Sequence, residues 1–485
     1  MAIALALSGY ALLCLTLWAD PRWQPDWDGA LYVLTARNLA EGAGYSYLDR
    51  PFILRPPGLA WLLSLVQGAG RFDAGPLNLL IMACAAAWVA AIWFALAAEG
   101  WRWRALAVAL LTGTSALAVL RFNRIESEFP FAAALFLALG LHERAQRRGS
   151  TLLAALAGVA LAASLYLRSA GLVLLPGFAL LSLLPGAARP RWRAWLPALV
   201  ALGLASPWIA WSARMAGRAE RPAEQLLLFD YATAIFHTDA GDPGSPWLPL
   251  SGWIARAGAN APLLLEDLAG AALGSAHPLA QLALLLLLAA GGAARLRRGP
   301  RLLDFWGAAY AGVLLFYFTH HPRLALPLLP LVYVCALEAA AALGRRLRGR
   351  RLAPASPVAA LACAAALANA LAWPEAPDPD AEWGAATRVA ERIRRALPRE
   401  ALLMADNGPV FAVLTRRRTL SFRHARGDRN LLDHYDPALL ILHFEHHSTE
   451  DAKALVFGAK KRLWKPSPRF TEKPIQSYEP HPLPR

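Results

Sequence analysis

The amino-acid sequence predicts an all-α polytopic membrane protein of about eleven transmembrane helices, followed by a small C-terminal α/β domain. Three observations support this fold class. Of the 485 residues, 57% are hydrophobic. The apolar residues form repeated runs of about 20, the length that a helix needs to cross roughly 30 Å of hydrocarbon. Arginine clusters separate these runs and recur in every second loop, and helices are expected because backbone polar groups in lipid must be satisfied internally.

The first run lacks a positive region before it and a good cleavage site after it, so we interpret it as an uncleaved membrane span, with a signal peptide as the minor alternative. Arginine clusters in alternate loops share one side of the membrane, and the positive-inside rule makes that side cytoplasmic. The composition, rich in Arg and Ala and poor in Lys, suggests a GC-rich bacterial source and thus an inner-membrane location. The predicted spans are 3–18, 76–98, 105–121, 129–142, 151–167, 169–185, 195–213, 277–294, 303–319, 324–343 and 353–373.

This topology places the long loops 19–75 and 214–276 on the outer, periplasmic side. The short connections 122–128 and 320–323 lie there too. Residues 1–373 form the predicted membrane module, and residues 374–485 form an exported domain after a linker rich in Pro and Asp. Within that domain we predict helices at 384–397 and 408–416, strands at 401–405 and 438–444, and an irregular, Pro-rich tail after Lys465.

The net charge of +15 is compatible with nucleic-acid binding, but the basic residues lie largely in short loops between apolar runs. They are better explained as residues that set topology and contact anionic lipid, so we expect a bilayer partner and no nucleic acid. The four cysteines fall within apolar runs, which argues against a disulfide framework. No HExxH sequence occurs. No phosphate-binding glycine loop occurs either, so the sequence contains no motif for transport driven by nucleotide hydrolysis.

The first outer loop contains Asp26 and Asp28 ahead of an amphipathic segment. A helix that begins after Asp28 would place Tyr32 one turn along on the same face and would end at Gly42. Asp28 could simply cap that helix. Residue chemistry alone does not decide between a capping and a catalytic role.

A second acidic site, with Glu126 and Glu128, stands where the third span returns as the fourth. Carboxylates beside hydrocarbon are costly unless they face protein or water, which makes them functional candidates. The alternative is an ordinary helix start, with Ser127 as cap and Glu128 complementing the helix dipole. Nearby arginines could hold a phosphate or extend to lipid headgroups. The adjacent residues His320 and His321 cannot both face one metal from a regular helix.

Taken together, these segments resemble the GT-C superfamily of membrane glycosyltransferases, particularly the branch with the protein O-mannosyltransferases and the lipid A aminoarabinose transferase. In that family an Asp opens the first outer loop, followed by a Tyr and an Ala/Arg-containing helix that ends in Gly. One departure is Gly29, where the family often has an acidic residue and for which Asp26 could substitute. The matching elements are Asp28, Tyr32, Ala36-Arg37, Glu41-Gly42, Arg55-Pro56-Pro57-Gly58, Ser127-Glu128, Arg168-Ser169-Ala170-Gly171-Leu172 and Arg323 with Pro327 and Pro330.

The resemblance implies a glycosyltransferase that takes a sugar from a polyprenyl-phosphate carrier at the outer face and passes it to a lipid, protein or polysaccharide acceptor. Asp28 would act as general base in an inverting displacement. Glu128 would orient the acceptor or, with Asp28, hold a divalent cation such as Mg²⁺ or Mn²⁺. Cationic side chains would stabilise the leaving phosphate. The expected substrate-binding residues are Asp26, Tyr32, Arg37, Arg55, Glu126, Arg168, His321 and Arg323.

Two other readings share much of this topology. A transporter or flippase would use buried carboxylates and arginines as a substrate path, but transporters place such groups near the midplane of broken helices. An envelope scaffold, or a polymerase or ligase of surface polysaccharide, would give no reason for the Asp-Tyr-Arg-Gly loop.

Overall fold

Helices dominate the architecture, because the apolar runs of the sequence can satisfy their backbone only internally. The computed structural model describes residues 2–67, 72–100, 102–183, 192–218, 231–239, 244–348, 365–366, 378–421, 435, 437–443, 463–473 and 475–481. The helices of the first part are α1 (Ala2–Leu17), α2 (Trp27–Ala40), α3 (Gly58–Ser64), α4 (Ala74–Ala97), α5 (Arg102–Gly113), α6 (Ala116–Val119), α7 (Glu128–Arg148), α8 (Thr151–Leu167), α9 (Leu174–Leu183), α10 (Trp192–Arg218), α11 (Tyr231–Phe236), α12 (Leu250–Leu273), α13 (Pro278–Leu296), α14 (Leu302–Phe316) and α15 (Leu329–Arg348).

Four described helical segments are long and apolar enough to cross a membrane, and each coincides with a predicted span. They are Ala74–Ala97, Trp192–Met215, Pro278–Leu296 and Pro322–Leu343. Shorter apolar helices occupy Ala2–Leu17, Thr151–Leu167, Ser169–Phe178 and Leu302–Phe316. The count of eleven spans stays a prediction, and the run at 353–373 lies almost wholly outside the described residues.

Several predicted spans differ from the helices that form. The run at 105–121 is interrupted after Gly113, where Ser115 Oγ donates to the carbonyl of Thr112 at 2.7 Å and competes with helical bonding. The run at 129–142 is longer than expected, because α7 continues to Arg148 and ends at Gly149 in the left-handed conformation. Ser169–Val173 forms a 3₁₀ segment before α9. The outer loop 214–276 contains α12, for which no helix was predicted.

The membrane helices pack closely through small residues. The main neighbours are α4 with α7, α7 with α8, α8 with α10, and α13 with α15. A Cβ at Gly58 would lie 2.6 Å from the carbonyl oxygen of Tyr166, so α3 meets α8 backbone to backbone. A Cβ at Gly140 would similarly contact the ring of Phe94 on α4. Close approach at small residues is the usual mode of helix packing in membranes, where apolar burial gives little driving force.

The described residues of the C-terminal part form a five-stranded mixed sheet with two α-helices. The strand order is β4-β3-β5-β7-β6, where β3 pairs in parallel with β4 and β5, and β7 pairs antiparallel with β5 and β6. The tail after Lys465, predicted to be irregular, instead supplies strand β7. A short β1–β2 hairpin lies in the first outer loop. The bounds are β1 (Ser46–Tyr47), β2 (Arg50–Pro51), α16 (Pro379–Ala396), β3 (Leu402–Ala405), α17 (Gly408–Thr415), β4 (Arg418–Ser421), β5 (Leu439–His443), β6 (Leu463–Pro466) and β7 (Ile475–His481).

The first outer loop and the C-terminal sheet contact each other directly. Helix α17 packs against α2. The Tyr47 hydroxyl donates to the carbonyl of Thr419 at 3.4 Å, and Arg418 pairs with Asp49 at 3.4 Å. The two segments that the topology assigns to the outer side therefore lie together at one end of the bundle.

Candidate active site

Helix α2 brings two aspartates to the end of the bundle. Asp26 is its N-cap residue, with extended backbone (φ −140°, ψ 163°) and a carboxylate that accepts from the Gly29 amide. The sequence left a capping role for Asp28 open, and the structure gives that role to Asp26. Asp28 lies in the first turn, and its carboxylate pairs with Arg323 and Arg55 and does not cap the helix. The predicted end of the helix is confirmed, since Gly42 follows it with φ +77°.

Close packing around Gly29 explains why no acidic residue stands at this position, where the GT-C superfamily often has one. A Cβ at this position would lie 2.9 Å from Asp26 Oδ2 and 2.9 Å from the carbonyl oxygen of Ile125. Both distances are shorter than a real Cβ contact. An acidic side chain at position 29 would therefore displace the 122–128 connection, and Asp26 supplies the second carboxylate of the loop.

Arg323, in the 3₁₀ segment Pro322–Leu328, joins carboxylates from two separate segments. Its Nη2 pairs with Asp28 Oδ2, and its Nη1 lies 3.1 Å from Glu126 Oε1. Its Nε lies 3.5 Å from Glu128 Oε1. These contacts connect the first outer loop with the 122–128 connection and the 320–328 segment. We call Asp26, Asp28, Glu126, Glu128 and Arg323 the carboxylate cluster.

Further arginines surround the carboxylate cluster. Arg55 Nη2 lies 3.8 Å from Asp28 Oδ1, and Arg121 Nη1 lies 2.9 Å from Glu126 Oε1. Arg168 pairs with Glu128 and also donates to the Ser127 hydroxyl at 3.1 Å. Ser127 occupies the N-cap position of α7 without a capping hydrogen bond, since its hydroxyl serves Arg168. The alternative reading of this segment had Ser127 as a cap; Ser127 holds that position, but its hydroxyl bonds with Arg168.

Burial and neighbouring charges shift the pKa values of the two aspartates of the cluster in opposite directions. Burial raises the pKa of Asp28, but Arg323 and Arg55 outweigh it and lower this pKa to about 2. Burial and the nearby Glu126 raise the pKa of Asp26 to about 7. Asp28 is thus ionised at neutral pH, whereas Asp26 still holds a proton for much of the time. The Asp28 side chain is 21% exposed, against 3% for Glu126 and Glu128, so Asp28 is more accessible to a substrate than either glutamate.

The two adjacent histidines have different surroundings. His321 is next to Arg323, and burial, followed by Arg323 and Arg121, lowers its pKa to about 4. Its imidazole is therefore neutral at pH 7. His320 Nε2 lies 2.6 Å from Asp267 Oδ2 on α12. Asp267 was not among the predicted site residues, because no helix was predicted in its loop.

Tyr32 and Arg37 differ in their relation to the carboxylate cluster. Tyr32 is buried one turn after Asp28 and neighbours Tyr45, whose hydroxyl donates to the Arg55 carbonyl at 3.0 Å. Arg37 lies nine residues after Asp28, about 14 Å along the helix axis. Its charged neighbours are Glu41 and Arg416, near the C-terminal sheet. The structure therefore brings Tyr32 to the site and places Arg37 away from it.

The carboxylates raise the question of a divalent cation. One carboxylate oxygen each of Asp26, Glu126 and Glu128 is buried without a hydrogen-bond partner. The guanidinium of Arg323, however, already pairs with Asp28, Glu126 and Glu128. Arg55, Arg121 and Arg168 supply further positive charge to the same carboxylates. Among the described residues, no group of three or more His, Cys, Asp or Glu side chains is placed to hold a metal ion. This arrangement does not fit a bound cation, and we derive no step through one.

Comparison with known proteins shows a shared fold without sequence similarity. No protein-family model matches the chain, and no curated protein matches it in sequence. Solved structures match it over nearly its whole length. ArnT from Cupriavidus metallidurans, solved with bound undecaprenyl phosphate, has a TM-score of 0.59 at 13% identity, covering 98% of each chain.

Archaeal oligosaccharyltransferases have the same fold. AglB from Archaeoglobus fulgidus, in complex with an inhibitory peptide and a dolichol-phosphate, has a TM-score of 0.56 at 12% identity, covering 99% of this chain and 74% of its own. An Archaeoglobus fulgidus oligosaccharyltransferase in complex with Zn and sulfate has a TM-score of 0.59 at 13% identity, covering 98% and 73%. The predicted GT-C fold is therefore confirmed.

Proposed function

From this fold and the carboxylate cluster, we propose that the chain is a glycosyltransferase that uses a polyprenyl-phosphate-linked sugar. The observation that carries the proposal is the cluster itself, in which an accessible ionised Asp28 lies among arginines at one end of a GT-C bundle. Two structures of this fold were solved with polyprenyl phosphates, which supports the same donor class here. The acceptor is a hydroxyl-bearing lipid, protein or polysaccharide.

The donor phosphate binds to the arginines of the site. Arg55, Arg168 and Arg323 come from three different segments and surround the same carboxylates. Guanidinium groups suit a phosphate because they donate paired, charge-assisted hydrogen bonds. A phosphate that engages Arg323 competes with Asp28 for it. Donor binding therefore draws Arg323 away from Asp28.

Loss of this ion pair prepares Asp28 to act as a base. The arginines hold its pKa near 2, and their transfer to the phosphate raises that pKa. Asp28 then takes the proton of the acceptor hydroxyl as its oxygen bonds to the anomeric carbon. The bond from that carbon to the phosphate oxygen breaks, and the electron pair leaves with the lipid phosphate. A single displacement of this kind inverts the anomeric centre.

Glu128 and Glu126 act on the arginines in this proposal. Glu128 is 3% exposed and bonded to Arg168, so it positions a phosphate-binding group and does not meet the acceptor. Glu126 holds Arg121 and Arg323. The predicted catalytic role of Glu128 thus becomes a positioning role. Asp26 fixes the start of α2 and with it the place of Asp28.

We also propose that the site faces the periplasm of a bacterial inner membrane. Helix α7 begins at the carboxylate cluster and ends in the arginine-rich segment Arg144–Arg148 at the other end of the bundle. The positive-inside rule assigns that segment to the cytoplasm. Sugars on a lipid carrier, unlike nucleotide sugars, are available on the outer side. The location of the cluster at one end also disfavours a transporter, whose charged groups would lie near the midplane.

The experiment that tests Asp28 uses two aspartate substitutions in the same outer loop. Asp28→Asn keeps the shape of the side chain but cannot accept a proton, so transfer should fall by about 10²- to 10⁴-fold while donor binding persists. Asp49→Asn is the matched control. Asp49 is 81% exposed and has φ +62°, a conformation that Asn tolerates.

The measurements are sugar transfer by the purified proteins and retention of radiolabelled donor. Equal turnover by the Asp28→Asn variant and the wild type would remove Asp28 from the role of base. Donor translocation across vesicles without any chemical transfer would favour the flippase reading.

A further inference from the structure

A cavity of about 600 Å³ opens at the end of the bundle opposite the carboxylate cluster. Its walls come from α1, α4, α5 and α7. Helix α7 connects the two ends, since it starts at Glu128 in the cluster and reaches Arg148 at the cavity. Its 21 residues span about 30 Å, the thickness of the hydrocarbon layer. The cavity therefore lies at the other membrane surface.

The lining of the cavity divides into an apolar and a cationic part. Ile3, Leu7, Trp93 and Ala97 are among its apolar residues. The cationic part consists of four arginines, Arg102, Arg144, Arg147 and Arg148. This combination suits a molecule with an anionic head and a hydrocarbon tail.

Arg144 is held in place by its surroundings. Its guanidinium lies 3.5 Å from the centroid of the Phe94 ring, and its Nη1 donates to the Phe94 carbonyl at 2.6 Å and to the Gly140 carbonyl at 3.0 Å. Carbonyl oxygens leave its positive charge uncancelled. The site thus contains a fixed cation at the junction of its apolar and polar walls.

The other arginines have little negative charge near them. Arg147 pairs with Glu143 at 3.1 Å, and that same carboxylate also binds Arg301 at 2.6 Å. Within the described part of the chain, Arg102 and Arg148 form no salt bridge with a carboxylate. The excess of positive charge at an apolar cavity favours an anionic ligand that also has a hydrocarbon chain.

We propose that this cavity binds an anionic glycerophospholipid of the cytoplasmic leaflet, with the phosphate among the arginines and an acyl chain against α1 and α4. Basic pockets between membrane helices bind acidic headgroups in this way. The bound lipid joins α1 to the α4–α7 pair, because the cavity is lined by all three helices. The inference does not depend on the transferase reaction, since lipid binding is measured without any sugar donor.

The test compares lipid binding by the full-length protein purified in a neutral detergent. Native mass spectrometry during titration with phosphatidylglycerol or phosphatidylcholine reports the affinity for each lipid. The wild type should bind phosphatidylglycerol more tightly. Arg148→Ala should weaken that binding about fivefold, and Arg102→Ala with Arg148→Ala by more than tenfold, as expected for about 1 kcal/mol per arginine.

Arg297→Ala is the matched control, because Arg297 is an exposed arginine of another loop outside the cavity. This variant should bind phosphatidylglycerol like the wild type. An equal loss of phosphatidylglycerol affinity in the Arg148→Ala and Arg297→Ala variants would show that general surface charge binds the lipid, and would overturn the proposal. Equal affinity of the wild type for both lipids would also overturn it. Displacement of the lipid by an equimolar amount of inorganic phosphate would assign the cavity to a free anion instead.

Discussion

Arg323 shows how a single side chain can set the state of several others. Three carboxylates lie within 4 Å of its guanidinium nitrogens, and all three belong to segments far from it in sequence. Removing one partner from a buried ion pair is costly because the remaining charge stays desolvated. Arg323 therefore favours the ionised form of Asp28, and under the proposed function its movement toward a donor phosphate would raise the pKa of Asp28.

Asp26 gives a prediction about the pH dependence of stability. Its folded pKa of about 7 exceeds the unfolded value near 3.9, so the folded state binds an extra proton between these pH values. Its contribution to stability is complete below pH 4 and is lost as the pH rises to 7. Asparagine mimics the protonated acid and also caps helices well. The melting temperature of the Asp26→Asn variant, minus that of the wild type, should therefore be larger at pH 8 than at pH 5.

The measurement is thermal unfolding of both proteins in the same detergent at the two pH values. The difference between the two melting temperatures cancels the contributions of other titrating groups. One such group is His321, whose lowered pKa has the opposite effect on stability. A constant difference between pH 5 and pH 8 would show that Asp26 titrates normally.

At the level of elements, the position of α3 determines where Arg55 lies. The Arg55-Pro56-Pro57 segment leads into α3, and Gly58 lets the first turn of α3 touch the backbone of Tyr166 on α8. The opposing atoms are backbone and cannot rotate away. Any side chain at position 58 must push α3 and the preceding loop outward.

We therefore expect Gly58→Ala to lower the thermal stability and to weaken donor binding through displacement of Arg55. Gly203→Ala on α10 serves as the control, because a Cβ there meets no atom within 4 Å and alanine favours a helix. The measurements are the melting temperature and the donor dissociation constant. Unchanged values for Gly58→Ala would mean that α3 is free to move.

The sequence predicts elements well where one property decides the outcome. Apolar length locates helices such as Ala74–Ala97. The 3₁₀ start at Ser169 and the helix α12 were missed, because local bonding and tertiary packing decide them. Strand β7 was missed for a related reason, since its Pro-rich sequence forms a strand only by pairing with β5 and β6.

The sequence indicated most residues of the candidate site but not the ion pairs between them. Position at a span end made Glu128 and Arg323 candidates. The resemblance to the GT-C superfamily supplied the role expected of Asp28. The pairing of Arg323 with Asp28 joins residues 295 positions apart, and only the fold brings them together. The pairing of His320 with Asp267 is of the same kind. Arg37 was selected from the family pattern, and the helix geometry directs it elsewhere.

At the scale of the whole molecule, charge divides the protein into two functional ends. One end combines carboxylates and arginines beneath the C-terminal sheet, and the other has a surplus of arginine around an apolar cavity. The bundle between them has the GT-C fold. Under the two proposals, a lipid-linked donor would reach the first end from within the bilayer, and an anionic lipid of the opposite leaflet would bind at the second end.

The central claim is the use of a lipid-phosphate sugar, and donor consumption tests it without knowledge of the acceptor. The purified protein is incubated with a panel of polyprenyl-phosphate sugars, and released carrier phosphate is measured. We expect slow release from at least one donor through transfer to water, and no release with the Asp28→Asn variant. A folded wild-type protein that consumes no donor in the panel, or an Asp28→Asn variant that consumes it equally, would contradict the proposed function.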